Sequence, residues 1–254
     1  MTHPEIIPNR LRDPINYKII ALLVTTVVIL HVLVNTIDHS VILVYSWSIG
    51  VPVAIIVFGI IAIRNYSKTT VYSKAFKLLT IAFIGIFGGE LTYFVYAEIL
   101  NLDPYPSVGD IFYFMFYPAT IGFLSINIRH FIPNYGKLDL IPLLLIPIII
   151  SGTWTSLVWG EWEGFDFAYG LASIIATSAT LAFSILAFKT FRRGLIGTTW
   201  LVFVIGFSLI VVGDTWYYYL EIFEEYSLEH IVNMFWYLGY LFILYSLLKH
   251  KKII

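Results

Sequence analysis

Residues 78–100, LLTIAFIGIFGGELTYFVYAEIL, decide the class of this protein. The run exceeds twenty residues and holds only two charges, Glu90 and Glu98. A helix of that length rises about 30 Å, the thickness of a bilayer's hydrocarbon core. Glu98 stands near one end, but Glu90 lies well inside, where an ionisable group is costly and marks a functional position by default. A second segment has the same arrangement: Gly213-Asp214-Thr215-Trp216-Tyr217 sets an acid after a glycine and a tyrosine three residues on, as do Gly89-Glu90 and Tyr93.

Outward from this stretch, seven more apolar segments follow the same pattern: 17–35, 41–63, 111–128, 140–160, 167–188, 195–220 and 231–248. Hydrophobic residues make up 59% of the chain against 12% charged, which excludes a soluble domain with one core. The segments are too long and too continuous for the strands of an outer-membrane barrel. The expected fold is therefore all-α, a polytopic membrane protein of eight transmembrane helices forming a single domain over 1–254. Segment 17–35 is too long for a signal-peptide core and reads as a retained helix carrying His31. Segment 167–188, with Ala172, Ala176, Ala179, Ala182, Ser173 and Ser178, reads as a packing helix. The chain has no cysteine, which removes disulfides, thiolate metal sites and a cysteine nucleophile together.

Charge sets the orientation. Arg10, Arg12 and Lys18 precede the first segment; Arg64, Lys68, Lys74 and Lys77 lie between the second and third; Arg129 and Lys137 follow the fourth; Lys189, Arg192 and Arg193 the sixth; Lys249, Lys251 and Lys252 the eighth. All fifteen fall on one side, which the positive-inside rule assigns to the cytoplasm, with both termini there and the cell membrane as location. The opposite loops carry Asp38, Asp103, Asp110, Glu161, Glu163, Asp166, Glu224, Glu225 and Glu229 and no basic residue. This acidic face reads either as the other half of the topology signal or as a vestibule that gathers cations.

The two acid-bearing segments extend into a longer match. Glu98 and Glu221 close their helices, Ser107-Val108 corresponds to Ser227-Leu228, and Phe116-Tyr117 to Trp236-Tyr237. Corresponding helices lie four apart in the chain, so the expectation is two parallel repeats, 1–130 and 138–250, about an axis along the membrane normal. At about 1.5 Å per residue, Glu90 and Asp214 lie roughly 10–12 Å below the outer boundary. Tyr93 shares the face of Glu90, and Tyr217 and Tyr218 that of Asp214. No basic residue reaches that depth, so each acid must be protonated, hydrogen-bonded or neutralised by something bound. The expected ligand- or proton-binding set is Glu90, Asp214, Tyr93, Tyr217, Tyr218, Tyr117, Tyr237 and His31, in an outward-facing pocket whose aromatic wall also takes in Tyr96, Tyr113, Trp216 and Trp236.

The stretch Asp103-Pro104-Tyr105-Pro106-Ser107-Val108-Gly109-Asp110-Ile111-Phe112-Tyr113, with Tyr117-Pro118 after it, resembles the multi-helix membrane input regions of bacterial and archaeal signalling proteins, including those preceding diguanylate cyclase or histidine kinase domains. Gly109 stands where that pattern has alanine. The similarity covers the third and fourth segments, with an echo in the last two. It implies a sensor or scaffold module; because the chain ends at Lys252-Ile253-Ile254, the module is expected to lack an output domain in cis and to act through a cytoplasmic or membrane partner protein.

Three function classes follow: such a sensor or scaffold; a proton- or cation-coupled small-molecule transporter; and an intramembrane enzyme. The enzyme ranks last, since no nucleophile stands beside a base, no histidine cluster has metal-ligand spacing, and no glycine-rich phosphate loop occurs. No cofactor and no metal are expected, nucleic-acid binding has no support, and the partners are the lipid bilayer and a small ligand, lipid or ion of open identity.

Overall fold

The computed structural model describes residues 14–37, 40–131, 136–161, 164–194, 196–223 and 225–253. Arg10, Arg12, Asp38, Glu163 and Glu224 of the charge pattern lie outside the described residues. The elements are α1 (Tyr17–Thr36), α2 (Val41–Asn65), α3 (Thr70–Phe94) continued by a π-helical turn (Val95–Ile99), α4 (Val108–Phe131), α5 (Lys137–Leu157), α6 (Phe165–Phe191), α7 (Gly197–Ile222) and α8 (Asn233–Ile253). There is no strand among the described residues. Helices α1 to α7 are long and apolar enough to cross a membrane, so the chain is a multi-pass membrane protein. Helix α8 mixes apolar residues with Asn233, Ser246, Lys249 and His250, all buried. Protein rather than lipid surrounds it, so it does not need an apolar face on every side.

The helices run further than the apolar segments. Helix α3 begins at Thr70 instead of Leu78, because Ala75 and Phe76 are buried while Lys74 and Lys77 keep their charged ends toward solvent. A count of apolar residues stops at the first lysine; helical hydrogen bonding does not.

Six helices close a ring in the order α2, α3, α4, α6, α7, α8 and back to α2. Helix α1 rests outside on α8 and α2, and α5 outside on α6 and α7. Leu22, Ile29 and Val32 of α1 and Leu144, Ile148 and Ile149 of α5 are exposed, as lipid-facing side chains would be. Helix α6 is a packing helix as the sequence predicts, but its buried stripe is hydroxylic. Ser173, Thr177, Ser178, Thr180 and Ser184 face the protein, whereas Ala172 is exposed. Several of these hydroxyls turn back onto carbonyls of their own helix, which satisfies them where small side chains let neighbours approach.

At the end of the ring that carries the basic loops, the interior is filled by aromatic side chains. Phe83 meets Phe116 at 5.5 Å between ring centroids, Phe116 meets Phe207 at 6.1 Å, and Phe123 meets Phe203 at 5.5 Å. Trp200 stacks on Phe191 at 4.8 Å. All are buried, so this half has a close-packed floor. Below it, beyond the apolar 231–248 stretch, Tyr66 Oη and His250 Nδ1 are 2.8 Å apart among Tyr72 and Phe76. Burial pushes the His250 imidazole down to about 4 and the Tyr66 phenol up to about 12.

Candidate functional site

The ring is hollow toward the acidic loops. Helices α3 and α7 do not pack on each other, and between them lies a cavity of about 750 Å³, within the size range of sites for drug-sized ligands. Glu90 and Asp214 both line it. So do Tyr93, Tyr117, Tyr217, Tyr218 and Tyr237, which brings together seven of the eight residues the sequence singles out.

Each acid follows a glycine for a steric reason. A Cβ on Gly213 would lie 2.8 Å from Trp236 Nε1, and one on Gly89 would lie 2.7 Å from the Tyr113 ring. The missing side chain lets an aromatic from the next helix lie flat against the backbone beside the acid. At Asp214 the result is a donor for each oxygen: Trp236 Nε1 donates to Oδ1 at 2.8 Å, and Tyr117 Oη donates to Oδ2 at 3.0 Å, with the Thr177 hydroxyl of α6 also beside the carboxylate. Asp214 is 7% exposed. At Glu90 the neighbouring neutral groups are the Tyr113 phenol and the Ser48 hydroxyl from α2. The Ser48 side chain is 4% exposed and makes no hydrogen bond of ordinary geometry.

The phenol of Tyr93 does not serve Glu90. It donates to Asp110 Oδ1 at 2.7 Å, because the i+3 rule describes neighbours on one helix and this ring reaches across to α4. Asp110 is buried instead of being a surface loop acid. Its Oδ2 accepts from the Ser107 backbone N–H at 2.6 Å while Ser107 Oγ accepts from Gly109 N–H at 3.1 Å. That is a reciprocal capping box with aspartate in the glutamate position. The stretch Ser107-Val108-Gly109-Asp110 thus starts α4 and fixes the cavity mouth. The matching Ser227 has no such role, since α8 begins at Asn233, whose side chain bonds Tyr226 Oη and the Leu228 carbonyl.

His31 stands apart from the cavity. Its Nδ1 lies 3.4 Å from Asn35 Nδ2, one turn along α1, and that amide also donates to the Glu229 carbonyl. Helix α1 sits outside the ring, so no residue on it can reach the interior. Tyr96 and Trp216 also miss the wall; Trp216 is 37% exposed and packs on His230 and Phe235. The structure adds Tyr45, Ser48, Tyr105, Asp110, Tyr226 and Tyr240 to the lining. Tyr45 and Ser48 lie one turn apart on α2, a polar pair in an apolar helix and the one signal that pointed there.

The electrostatics are one-sided. Glu90, Asp103, Asp110, Asp166, Asp214 and Glu221 line the cavity, and among the described lining residues there is no Lys, Arg or His. In the mouth, burial and the carboxylates of Asp166, Asp110 and Glu221 push the Tyr105 phenol well above its ordinary range. No group of three or more His, Cys, Asp and Glu side chains among the described residues has the geometry to hold a metal ion. No known protein family, characterised protein or solved structure shows a significant match to the chain.

Proposed function

We propose that the protein is a ligand-binding module of the cell membrane, a sensor or scaffold whose cavity opens outward and whose cytoplasmic face meets a partner protein. The observation that carries this reading is the closed ring itself: a cavity of about 750 Å³ on the acidic side, ending on a packed aromatic floor. A cavity that ends on a packed floor supports binding over an open channel. The one-sided basic loops support cytoplasmic termini. The pairing of α2 with α8 and of α4 with α6 supports two parallel repeats, since a rotation that carries α2, α3 and α4 onto α6, α7 and α8 exchanges those contacts. The resemblance around 103–118 supports the signalling role.

The chain has no native cysteine, so single cysteines report access directly. Ser48→Cys and Ala97→Cys line the cavity and should react with a membrane-impermeant trimethylammonium methanethiosulfonate applied outside intact cells. Leu124→Cys, fully buried in the floor, should react from neither face. Silence at both cavity positions while Glu225→Cys labels would mean a dry, closed contact and overturn the reading. Reaction of Leu124→Cys from both faces would replace it with a transport pathway.

A further inference from the structure

We infer that the cavity binds an organic ammonium ion, held by its charge against Glu90 and Asp214 and by the π faces of the surrounding tyrosines. This deepens the binding reading above and rests on it. Three observations converge. The first is the unbalanced charge: carboxylates of α3 and α7 face one cavity that, among the described residues, no cationic side chain lines. A cation brought in from outside meets that unbalanced negative charge at a lower effective dielectric than in bulk water, which strengthens the attraction.

The second is the wall. Tyr217 lies 5.3 Å from Trp236, 4.9 Å from Tyr226 and 5.1 Å from Tyr218 between ring centroids, and Tyr93 lies 5.2 Å from Tyr113. These rings border the cavity. Aromatic faces attract cations and suit alkylated ammonium groups, which need no hydrogen-bond acceptor. That matters because the Asp214 oxygens already accept from Trp236 and Tyr117.

The third is an unspent polar group. Ser48 Oγ, 4% exposed, lines the cavity beside Glu90, its polar neighbour, and makes no hydrogen bond of ordinary geometry. A buried polar atom of this kind is normally satisfied, and a ligand with a polar arm would satisfy it. An inorganic ion fits less well. Calcium requires six to eight oxygens at 2.3–2.6 Å, and the described acids form no metal-binding group, whereas the volume accommodates an organic molecule.

The test is protection of Ala97→Cys in the purified full chain in nanodiscs. Choline, tetraethylammonium and tetrapropylammonium are compared with 3,3-dimethylbutan-1-ol, the uncharged isostere of choline, and with sodium and calcium chloride. The ammonium series should protect, with tightening affinity as alkyl contact with the rings grows, and choline should be at least tenfold more effective than its isostere. Glu90→Gln and Asp214→Asn should each weaken protection at least tenfold while leaving Ala97→Cys reactive. Tyr217→Leu, which keeps bulk without a π face, should weaken it severalfold. Phosphatidylglycerol and phosphatidylcholine discs separate two sources of the same chemistry. Weaker protection in phosphatidylcholine would support a lipid-borne headgroup, and equal protection a free ammonium compound.

Equal protection by the isostere, equal protection by the inorganic salts, or no protection by any ammonium ion would overturn the inference. In those cases Ala97→Cys still labels from outside, so the binding cavity stands and only its ligand class falls. Loss of labelling in the unliganded protein would instead refute the cavity reading itself.

Discussion

Replacing Tyr117 with phenylalanine removes one hydroxyl and leaves the buried ring in place, which isolates the bond to Asp214 Oδ2 at 3.0 Å. Interhelical hydrogen bonds in membranes average about 0.6 kcal/mol, because the unfolded chain in the bilayer also finds partners. A carboxylate acceptor roughly doubles the strength of such a bond. Asp214 also lies at 7% exposure, where water replaces the lost donor poorly. The expected cost is therefore about 1.5 kcal/mol, near the top of the measured membrane range and about a tenfold change in the folding constant. In an Asp214→Asn background the amide oxygen faces Trp236 Nε1 and the amide nitrogen faces Tyr117, whose hydroxyl then accepts. There the same change should cost only about 0.6 kcal/mol. Reversible unfolding in mixed micelles with increasing dodecyl sulfate, followed by tryptophan fluorescence, measures all four corners of the cycle. Tyr96→Phe, off the cavity wall, is the control. A Tyr117→Phe cost below about 0.5 kcal/mol with Asp214 present, or equal costs in the two backgrounds, would refute a charge-assisted bond across the ring.

Gly213→Ala and Gly89→Ala should each destabilise by about 1–3 kcal/mol through forced displacement of Trp236 or Tyr113. Gly50→Ala, whose Cβ would meet nothing within 4 Å, should change stability by no more than about 1 kcal/mol; equal effects at all three sites would remove the steric reading. For His250, burial holds the folded-state pKa at about 4, below the ordinary imidazole value of about 6.5, so the unfolded chain binds the extra proton. The stabilising contribution is complete above pH 6.5 and falls by roughly 1.4 kcal/mol per pH unit down to about 4. His250→Phe should flatten that slope, and an unchanged slope would mean the imidazole is hydrated.

The helices of the described residues were legible because bilayer thickness imposes a length on apolar runs, as in α1 to α7, and the acids were legible because a charge in such a run is rare. What sequence spacing did not supply was the partner of each side chain. Tyr93 and Glu90 share a face of α3, yet the phenol finds Asp110 because the capping box at Ser107 brings that carboxylate inside. His31 resembled the other candidates in being polar within an apolar helix. Only the tertiary arrangement, with α1 outside the ring, separates it from them. The contribution of α2 was hidden for the opposite reason: Tyr45 and Ser48 are uncharged, and single uncharged polar residues are ordinary in membrane helices.

The spacing of the second pair of acids finds its counterpart in the backbone. Glu98 follows Glu90 by eight residues, while Glu221 follows Asp214 by seven. The longer interval contains the π-helical turn Val95–Ile99, which takes up an extra residue in one turn. Beyond that turn the two hairpins differ. Ala97 remains on the wall, Glu98 is exposed and absent from the lining, and Glu221 stays at the rim. The mouth differs as well, with a capping box at Ser107 on one side and the Asn233 bonds on the other. The hairpins agree only at the depth of Glu90 and Asp214, where each glycine admits an aromatic from the next helix. That agreement has a physical cause: a ring laid against a helix backbone tolerates no added methyl group, whereas a loop tolerates an inserted residue. A variant that deletes one residue from 95–99 should therefore alter the rim and leave the packing of Tyr113 against Gly89 intact.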